Sequence, residues 1–402
     1  MKGKLKYLLV LISMCGLIAS SVGLITNVSG LFFTPIAEEF NIMKGSVSLT
    51  LTISNIVFAI GGLLAPKMLK EENFKKLIIF GTVCVAGCTA LLGLSPNLII
   101  MYVLNAVRGF AGGVLGFVLI TMVINNWFQA SVGLATSIAM SCSGFAGALF
   151  SPIISSIIES SGWRVGYMFV AAMMAILNLP AILFLPSLDP RAKNMVPYGY
   201  EEAEQTEETV VENTASAKKP ISPVLFGLAI LFAVLTCGGT ALPQHFPGIA
   251  EGFGLNAAAG AMMLSVCMLV NSIGKIIFGA LSDTIGSKKA LLLYTALVIA
   301  SIVGLWMIHV PMIMTICAGV FGLVYSLGAV GPVNVSKDLF GLENYADTYP
   351  KISLAGTISN AIFSSLIGFM YDFSGNYTST LLMMLVMMVL TGVILIRAYK
   401  NQ

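Results

Sequence analysis

The sequence predicts an all-α membrane protein with twelve membrane-spanning helices in two pseudo-symmetric six-helix bundles. Hydrophobic residues make up 57% of the 402 residues and charged residues only 10%, whereas soluble domains have about 25% charged residues. Apolar runs of about 20 residues, long enough to cross a hydrocarbon core, recur along the chain. A polar segment separates these runs into two sets of six.

Twelve apolar runs are predicted to cross the membrane, with ends accurate to about 2–4 residues. They are residues 7–34, 46–66, 75–94, 97–122, 131–157, 163–185, 221–243, 257–279, 288–308, 311–336, 347–370 and 377–397. The first run follows Lys2, Lys4 and Lys6, a pattern that cleaved secretion signals also have. Because this run continues to Phe33 and eleven more follow, we interpret it as an uncleaved helix.

Basic residues predict the orientation, because Lys and Arg are retained on the cytoplasmic side during insertion. With both termini cytoplasmic, all but four of the 21 Lys and Arg lie in cytoplasmic segments; the exceptions are Lys44 and Arg164 outside, and Arg108 and Lys275 within helices. We therefore expect a multi-pass protein of the cell inner (plasma) membrane, in contact with lipid. We also expect it to be a monomer. The net charge of +3 reflects this insertion bias and indicates no nucleic-acid partner.

An abrupt change to polar residues predicts a flexible, acidic cytoplasmic linker at 186–220. Its acidic residues are Glu201, Glu202, Glu204, Glu207, Glu208 and Glu212. The predicted domains are therefore an N-terminal six-helix bundle, 1–185, and a C-terminal six-helix bundle, 221–402. Two repeated halves are typical of secondary transporters.

A loop of the second half has the sequence Gly279-Ala-Leu-Ser-Asp283-Thr-Ile-Gly286-Ser-Lys288-Lys289. It resembles the loop that the major facilitator superfamily carries between the second and third helices of a half, and this resemblance implies the major facilitator fold. We interpret its five numbered residues, Gly279, Asp283, Gly286, Lys288 and Lys289, as a gating loop. Gly279 and Gly286 allow close backbone approach and positive φ, and Asp283 is placed to cap the next helix or to pair with either lysine.

The first half has a copy of this loop with the same spacing, from Pro66 to Lys76. Lys70 replaces the acid and Asn73 replaces the second glycine. The departure puts any ion pair on that side in doubt, whereas the position of the copy half a chain away favours a repeated transporter.

Four short motifs narrow the resemblance to the branch of monocarboxylate porters and oxalate/formate antiporters. They lie around the fifth run and read Asn126-Trp127-Phe128, Gly133-Leu-Ala, Ser143-Gly144 with Gly147 and Pro152, and Gly162-Trp163-Arg164. The segment 271–279 resembles helix 8 of these transporters, in which a basic residue at the Lys275 position binds the substrate carboxylate. In proton-linked relatives an acid precedes that cation by one turn. Here Asn271 takes its place, so we expect no carboxylate relay.

Polar side chains within the predicted helices are candidate substrate-binding residues. The set is Lys275, Arg108, Asn271, Asn105, Tyr325, Asn27 and Thr357. For any one Asn, Ser or Thr, hydrogen bonding between helices is the alternative. Thr357 stands where the oxalate relative has a second cation, which favours a monoanionic substrate over a dianion.

The two intramembrane cations need separate interpretations, because a Lys or Arg at mid-membrane costs about 2.5–3.5 kcal/mol and usually faces a cavity or a partner. Arg108-Gly109-Phe-Ala-Gly112 resembles a widespread helix-4 motif of the superfamily, which leaves helix packing, proton movement and substrate binding open. Lys275 is interpreted as the main binding charge. Its alternative role is to extend to the cytoplasmic surface and anchor the helix.

The 18 Asp and Glu all fall in loops or at predicted membrane edges. Two intramembrane cations without a protein counter-ion favour an anionic substrate. The leading hypothesis is a secondary transporter that moves a small organic anion, expected to be a monocarboxylate, by alternating access, as symport with a proton or exchange for a counter-anion. The alternatives are a proton-linked exporter of neutral or cationic small molecules and a non-transporting membrane receptor.

Enzyme, cofactor and metal functions are not expected. The chain has no GxxxxGK[ST] phosphate-binding loop. Its two histidines, His245 and His309, are predicted near outer loops without a paired acid or nucleophile. The seven cysteines lie in apolar runs without metal-ligand spacing and are interpreted as packing residues.

Overall fold

The structure is a computed structural model that describes residues 2–129, 131–185, 187–200 and 221–400. In these residues, 11 helical stretches are long and apolar enough to cross a membrane. One of them, Val132–Phe184, contains Gly162 with non-helical φ 83° and ψ 162°. Gly162 divides that stretch into two helices, so the described chain has twelve membrane-length helices and no strand. The predicted all-α fold is confirmed.

The membrane-length helices are numbered α1 to α12 in chain order. Their bounds are α1 Leu5–Phe40, α2 Lys44–Met68, α3 Glu71–Gly93, α4 Leu98–Trp127, α5 132–161, α6 163–184, α7 Pro223–Gly252, α8 Ala257–Ile285, α9 Ser287–Met307, α10 Pro311–Gly341, α11 Asp347–Ser374 and α12 Thr378–Ala398. Several helices, α1, α7 and α8 among them, continue beyond the predicted apolar runs. Helical hydrogen bonding does not stop where the apolar composition does, so hydropathy underestimates these lengths.

The first and fourth helices of each half are interrupted. In α1, a π-helical turn at Ala19–Leu24 and a 3-10 turn at Ser29–Phe32 replace regular α-helix. In α7, the helix ends at Gly239 and continues through a 3-10 turn at Leu242–His245. Helix α4 is interrupted at Gly116, and α10 is interrupted after Phe321. Equivalent helices are therefore broken in both halves, which the apolar runs did not predict.

The chain divides into two compact units. One comprises Met1–Ser29 and Ile53–Glu212, and the other comprises Gly30–Thr52 and Asn213–Gln402. The end of α1 and the start of α2 thus pack with the C-terminal helices. The domains predicted from sequence placed this segment in the N-terminal bundle.

Within the first unit, α4 packs on α2 through glycines. A Cβ atom added to Gly113 would lie 2.0 Å from the carbonyl oxygen of Phe58, and one added to Gly109 would lie 2.4 Å from that of Ser54. In the same unit α1 packs on α5, where Gly23 meets Ala146. Small residues allow such backbone approach between membrane helices.

Within the second unit, the equivalent helices pair in the same way. Helix α10 packs on α8, with Gly322 against the carbonyl oxygen of Cys267. Helix α11 packs on α7, and the Ser359 hydroxyl donates to the Val234 carbonyl at 2.6 Å. The pairs α2–α4 and α1–α5 of the first unit therefore recur as α8–α10 and α7–α11. This repetition is what two related six-helix halves require.

Residues 187–200, at the start of the predicted linker, pack on the first unit. The Tyr198 amide donates to the Trp127 carbonyl at 2.9 Å and its carbonyl accepts from Gln129 at 2.8 Å. The Tyr7 hydroxyl donates to the Val196 carbonyl at 2.6 Å. Residues 201–220, with the predicted acidic run, lie outside the described residues. The composition of this segment is polar overall, but aromatic residues such as Tyr198 give it the apolar surface that it needs to pack.

Candidate functional site

Lys275 lies in the interior of α8, ten residues before its end at Ile285. Its side chain is half-buried, and its ammonium nitrogen lies 6.0 Å from the centroid of the Tyr325 ring on α10. Among the described residues, no carboxylate pairs with this ammonium. Lys275 is therefore a membrane-embedded cation whose neighbours supply aromatic surface and no counter-charge.

Asn271 lies one helical turn before Lys275 and so shares its face of α8. Its side chain is 3% exposed, and its amide oxygen has no hydrogen-bond partner. Its amide nitrogen lies 3.8 Å from the Met268 sulfur, a weak acceptor. A buried amide oxygen without a donor is uncommon in folded proteins and leaves this face able to accept a hydrogen bond.

Gly274 brings α8 close to α10. A Cβ atom there would lie 2.9 Å from a methyl carbon of Leu323, and the Gly274 carbonyl accepts a 3.0 Å hydrogen bond from the Tyr294 hydroxyl of α9. This close packing explains why Tyr325, two residues after Leu323, lies beside Lys275.

Gln244 adds an amide to this part of the second unit. It lies in the 3-10 turn of α7 and is 2% exposed. Its side-chain oxygen accepts from the Gly30 amide at 3.2 Å. Its amide nitrogen is buried without a hydrogen-bond partner. The Gln244 side chain is also close enough to Tyr325 to interact with it.

Arg108 is enclosed within the first unit. It is 3% exposed, and its guanidinium donates to the side-chain oxygen of Asn105 at 2.5 Å. Asn105 in turn donates to the Met101 carbonyl of its own helix at 2.8 Å. Cys88 on α3 and Tyr167 on α6 lie close enough to interact with the Arg108 charge. The Arg108 Nε atom has no partner, so the enclosure satisfies this cation only in part.

The remaining candidates, Asn27 and Thr357, hydrogen-bond to backbone carbonyls. Asn27 is 4% exposed and donates to the Ser143 carbonyl at 2.9 Å, which ties α1 to α5. Thr357 is exposed and donates to the Ser353 carbonyl of α11 at 3.0 Å. Of the seven predicted residues, the structure brings together Lys275, Asn271 and Tyr325 in the second unit, and Arg108 with Asn105 in the first.

The predicted gating loop is a turn between α8 and α9 whose acid is not paired as expected. Gly286 has φ 88°, a backbone conformation that L side chains rarely adopt, whereas a Cβ at Gly279 would meet open space. Gly279 is therefore not a point of close approach. Asp283 is exposed, does not cap α9, and forms no ion pair with either lysine in the described chain.

Lys288 and Lys289 are also exposed, and Lys288 lies 5.8 Å from the centroid of the Tyr399 ring. The Tyr399 hydroxyl donates to the Asp338 carboxylate. Burial and this carboxylate raise the pKa of Tyr399 above its usual range, so it remains a donor at physiological pH. The neighbour of Lys288 is thus an aromatic ring whose hydroxyl is bonded to an acid.

In the first-half copy, Glu71 provides the carboxylate contact. It accepts from the backbone amides of Leu188 and Asp189 at 3.1 and 3.2 Å. The acid has moved by one position from Lys70, where the motif places it. The contact fastens the loop to the segment after α6.

Two features of α7 differ from the sequence prediction. His245 was expected near an outer loop, but it is 2% exposed, and its Nε2 atom lies 3.0 Å from the Ser364 carbonyl of α11. Gln244 was absent from the predicted site. Gly238-Gly239 and Pro243 were the available signal, because such residues commonly interrupt membrane helices.

None of the Asp and Glu side chains in the described residues is buried. Within the same residues, no group of three or more His, Cys, Asp or Glu has a metal-binding arrangement. In this part of the chain, the charged side chains in the interior of membrane helices are therefore the cations Arg108 and Lys275.

Comparison with known proteins gives a consistent assignment. Residues 15–336 and 228–401 match the family description of the Major Facilitator Superfamily. An uncharacterized MFS-type transporter of Bacillus subtilis (strain 168) is 25% identical over 65% of this chain and 62% of its own length. Monocarboxylate transporter 13 of Rattus norvegicus is 20% identical over 87% of this chain and 79% of its own length. The matched part thus spans less than two thirds of the bacterial relative.

A solved structure has the same fold. It is a bacterial homolog of the human lysosomal transporter Spinster, in an inward-facing and occupied conformation. The TM-score is 0.69 at 14% identity, with 100% of this chain and 97% of that chain covered. At this identity the match concerns the arrangement of helices alone.

Proposed function

Because this chain belongs to the major facilitator superfamily and is a multi-pass membrane transporter, we propose that it moves a small organic anion, a monocarboxylate, by alternating access, as symport or exchange. The observation that carries this proposal is the half-buried Lys275 ammonium, which no described carboxylate pairs. The proposed setting is the inner (plasma) membrane, with both termini cytoplasmic.

The energetics favour an anionic ligand at Lys275. Placing a lysine within the membrane is unfavourable by about 2.5–3.5 kcal/mol. A neighbouring aromatic face offsets about 0.5–2 kcal/mol of this free energy. A bound carboxylate supplies the missing counter-charge and two acceptor oxygens for the ammonium. The free amide oxygen of Asn271 on the same helix face supplies an acceptor for a donor group of the ligand.

The same environment favours a monoanion. Asn271 and Tyr325 beside Lys275 are neutral, and the Arg108 guanidinium is committed to Asn105. We assign Arg108, Asn105 and Asn27 to holding the first unit together. The rat relative's name, a monocarboxylate transporter, supports the same ligand class. Since Asn271 does not titrate, coupling is assigned to a proton carried with the substrate or to a counter-anion.

Lys275→Gln tests the proposal. Purified wild-type protein should be stabilised in thermal denaturation by acetate, propionate or pyruvate, since a ligand that binds only the folded state raises its stability. Oxalate and malonate should give smaller shifts at equal concentration. Lys275→Gln should fold and lose the monocarboxylate-dependent shift together with anion exchange in liposomes. Lys337→Gln is the matched control, because Lys337 is an exposed lysine beside the Tyr345 ring.

An unchanged ligand shift in Lys275→Gln would contradict the proposal and favour an anchoring lysine. Lys275→Arg separates these roles further. An anchoring cation is replaceable by arginine, whereas a binding site shaped for an ammonium beside Tyr325 should lose affinity with the larger, planar guanidinium.

A further inference from the structure

We infer that the start of α3 and the segment after α6 form a binding pocket for the headgroup of an anionic phospholipid. The observation that carries this inference is an open cavity of about 490 Å³, which lies within the first unit. Its lining includes Lys75 and Lys76 from α3 and Lys193 from the segment after α6. The inference goes beyond the proposed transport function and does not depend on Lys275.

The charges around this cavity are mainly positive. Lys75, Lys76 and Lys193 are exposed, and no ion pair within the described residues neutralises them. Across residues 67–76 and 189–193 the chain has six Lys and Arg against three Asp and Glu. Ammonium groups from two segments that are far apart in sequence therefore line one cavity, and their charge complements the phosphate of a lipid headgroup.

Hydrogen bonds hold the wall of the cavity that contributes Lys193. The Glu71 carboxylate accepts from the backbone amides of Leu188 and Asp189 at 3.1 and 3.2 Å. The Asp189 side chain in turn caps the following 3-10 turn, which ends at Lys193. The Glu71 charge is therefore directed at backbone amides, and the same bonds fix the segment that contributes Lys193 against the start of α3.

An exposed apolar surface begins at the same cavity and continues along α3. Ile79 lines the cavity, and Lys76, Ile79, Phe80 and Val83 are exposed at the spacing of one helix face. One turn further, a Cβ atom at Gly87 would meet nothing within 4 Å. A cationic cavity continuous with an apolar helix face suits a molecule that has both an anionic headgroup and acyl chains. A free phosphate would use the charged part alone.

Lipid binding to the purified full-length protein, measured by native mass spectrometry, tests the inference. Dioleoyl phosphatidylglycerol is compared with dioleoyl phosphatidylcholine, which has the same acyl chains and no net charge. The wild type should bind phosphatidylglycerol roughly tenfold more tightly, because lysines near a membrane surface attract anionic lipid. The triple variant Lys75→Gln, Lys76→Gln, Lys193→Gln should lose this preference.

The matched control removes three exposed lysines of the second unit, Lys337→Gln, Lys351→Gln and Lys400→Gln. It lowers the net charge by the same amount and should keep the preference for phosphatidylglycerol. Thermal denaturation of both triple variants shows whether each is folded.

Glu71→Ala and Glu72→Ala keep the test decisive if the lysine variant folds poorly. Both glutamates line the cavity, and each change removes one negative charge. Glu71 bonds the segment that contributes Lys193, whereas Glu72 forms no hydrogen bond to it in the described chain. Glu71→Ala should weaken phosphatidylglycerol binding roughly threefold to tenfold, about the effect of one lost hydrogen bond, although the protein becomes more positive. Glu72→Ala should leave binding equal or stronger.

Equal binding of the two lipids to the wild type, or an equal loss of preference in both triple variants, would overturn the inference. Stronger phosphatidylglycerol binding in Glu71→Ala would also overturn it, because attraction to charge alone would then explain the wild-type preference. Displacement of phosphatidylglycerol by inorganic phosphate at equal concentration would identify a site for a free anion and refute the assignment to lipid.

Discussion

The effect of replacing a glycine in a helix depends on which atoms lie opposite it, as the α2–α4 contact illustrates. A Cβ at Gly113 would lie 2.0 Å from the Phe58 carbonyl oxygen, and this oxygen is backbone that no rotamer change can move. At Gly87 in α3, by contrast, a Cβ would meet nothing within 4 Å. Both glycines lie inside helices, so their difference is one of packing.

We predict that Gly113→Ala destabilises the protein by about 1–3 kcal/mol, the usual cost of overpacking. Gly87→Ala is the matched control and should stabilise it by about 0.4–1 kcal/mol, because alanine restricts the unfolded chain. Thermal denaturation in detergent measures both. Equal midpoints for the two variants would show that α2 and α4 separate freely at this position.

The two intramembrane cations illustrate how local partners decide a residue's role. Arg108 is 3% exposed and bonded to Asn105, an amide on its own helix. Lys275 is half-buried beside an aromatic ring and has no bonded partner in the described chain. A cation bonded within its own helix is committed there, whereas an uncommitted one remains available to an anion.

At the scale of elements, the start of α2 is held by the end of α11. The backbone amides of Lys44 and Gly45 donate to the two carboxylate oxygens of Asp372 at 3.0 and 2.7 Å. The Lys44 ammonium lies 3.8 Å from the Glu251 carboxylate and 4.6 Å from the centroid of the Tyr371 ring. A carboxylate at a helix N-terminus satisfies free amides and complements the helix dipole.

We predict that Asp372→Ala speeds amide exchange at residues 44–48 and destabilises the protein by about 0.5–2 kcal/mol, as loss of a helix cap does. The effect of Asp372→Asn should lie between those of wild type and Asp372→Ala, because its amide retains one acceptor oxygen. Asn256→Ala is the control: Asn256 caps α8 by accepting from Ala259 at 2.9 Å, so its loss should affect α8 alone. Unaltered exchange at 44–48 in Asp372→Ala would argue against this cap.

At the scale of the whole molecule, the connection between the halves has two parts, and we expect them to differ in how well they tolerate deletion. Residues 187–200 pack on the first unit, where Tyr198 bonds the Trp127 and Gln129 backbone. Residues 201–220 lie outside the described part of the chain; their sequence is rich in Glu and poor in large apolar residues, so we expect changes there to be tolerated.

We predict that deletion of 203–215 preserves expression and transport, whereas deletion of 195–215 lowers both. The longer deletion removes Tyr198 together with the Val196 carbonyl that accepts from Tyr7. Membrane expression and liposome exchange of the two deletions give the comparison. Equal behaviour of both would mean that the packing of residues 195–200 is dispensable.

The sequence by itself determined the all-helical membrane fold and the presence of an uncompensated cation in α8. Both depend on quantities that add up locally, namely the apolar length of each run and the positions of charged residues. The tertiary structure decided which partners those residues meet: the Asn105 amide and helices α3 and α6 at Arg108, the Tyr325 ring at Lys275, the unpaired state of Asp283 and the contact of Gln244 with Gly30. Gly30 and Gln244 lie 214 positions apart. Their contact requires interruptions in two helices that hydropathy reads as continuous, because hydropathy records composition and hydrogen bonds depend on where distant backbones meet.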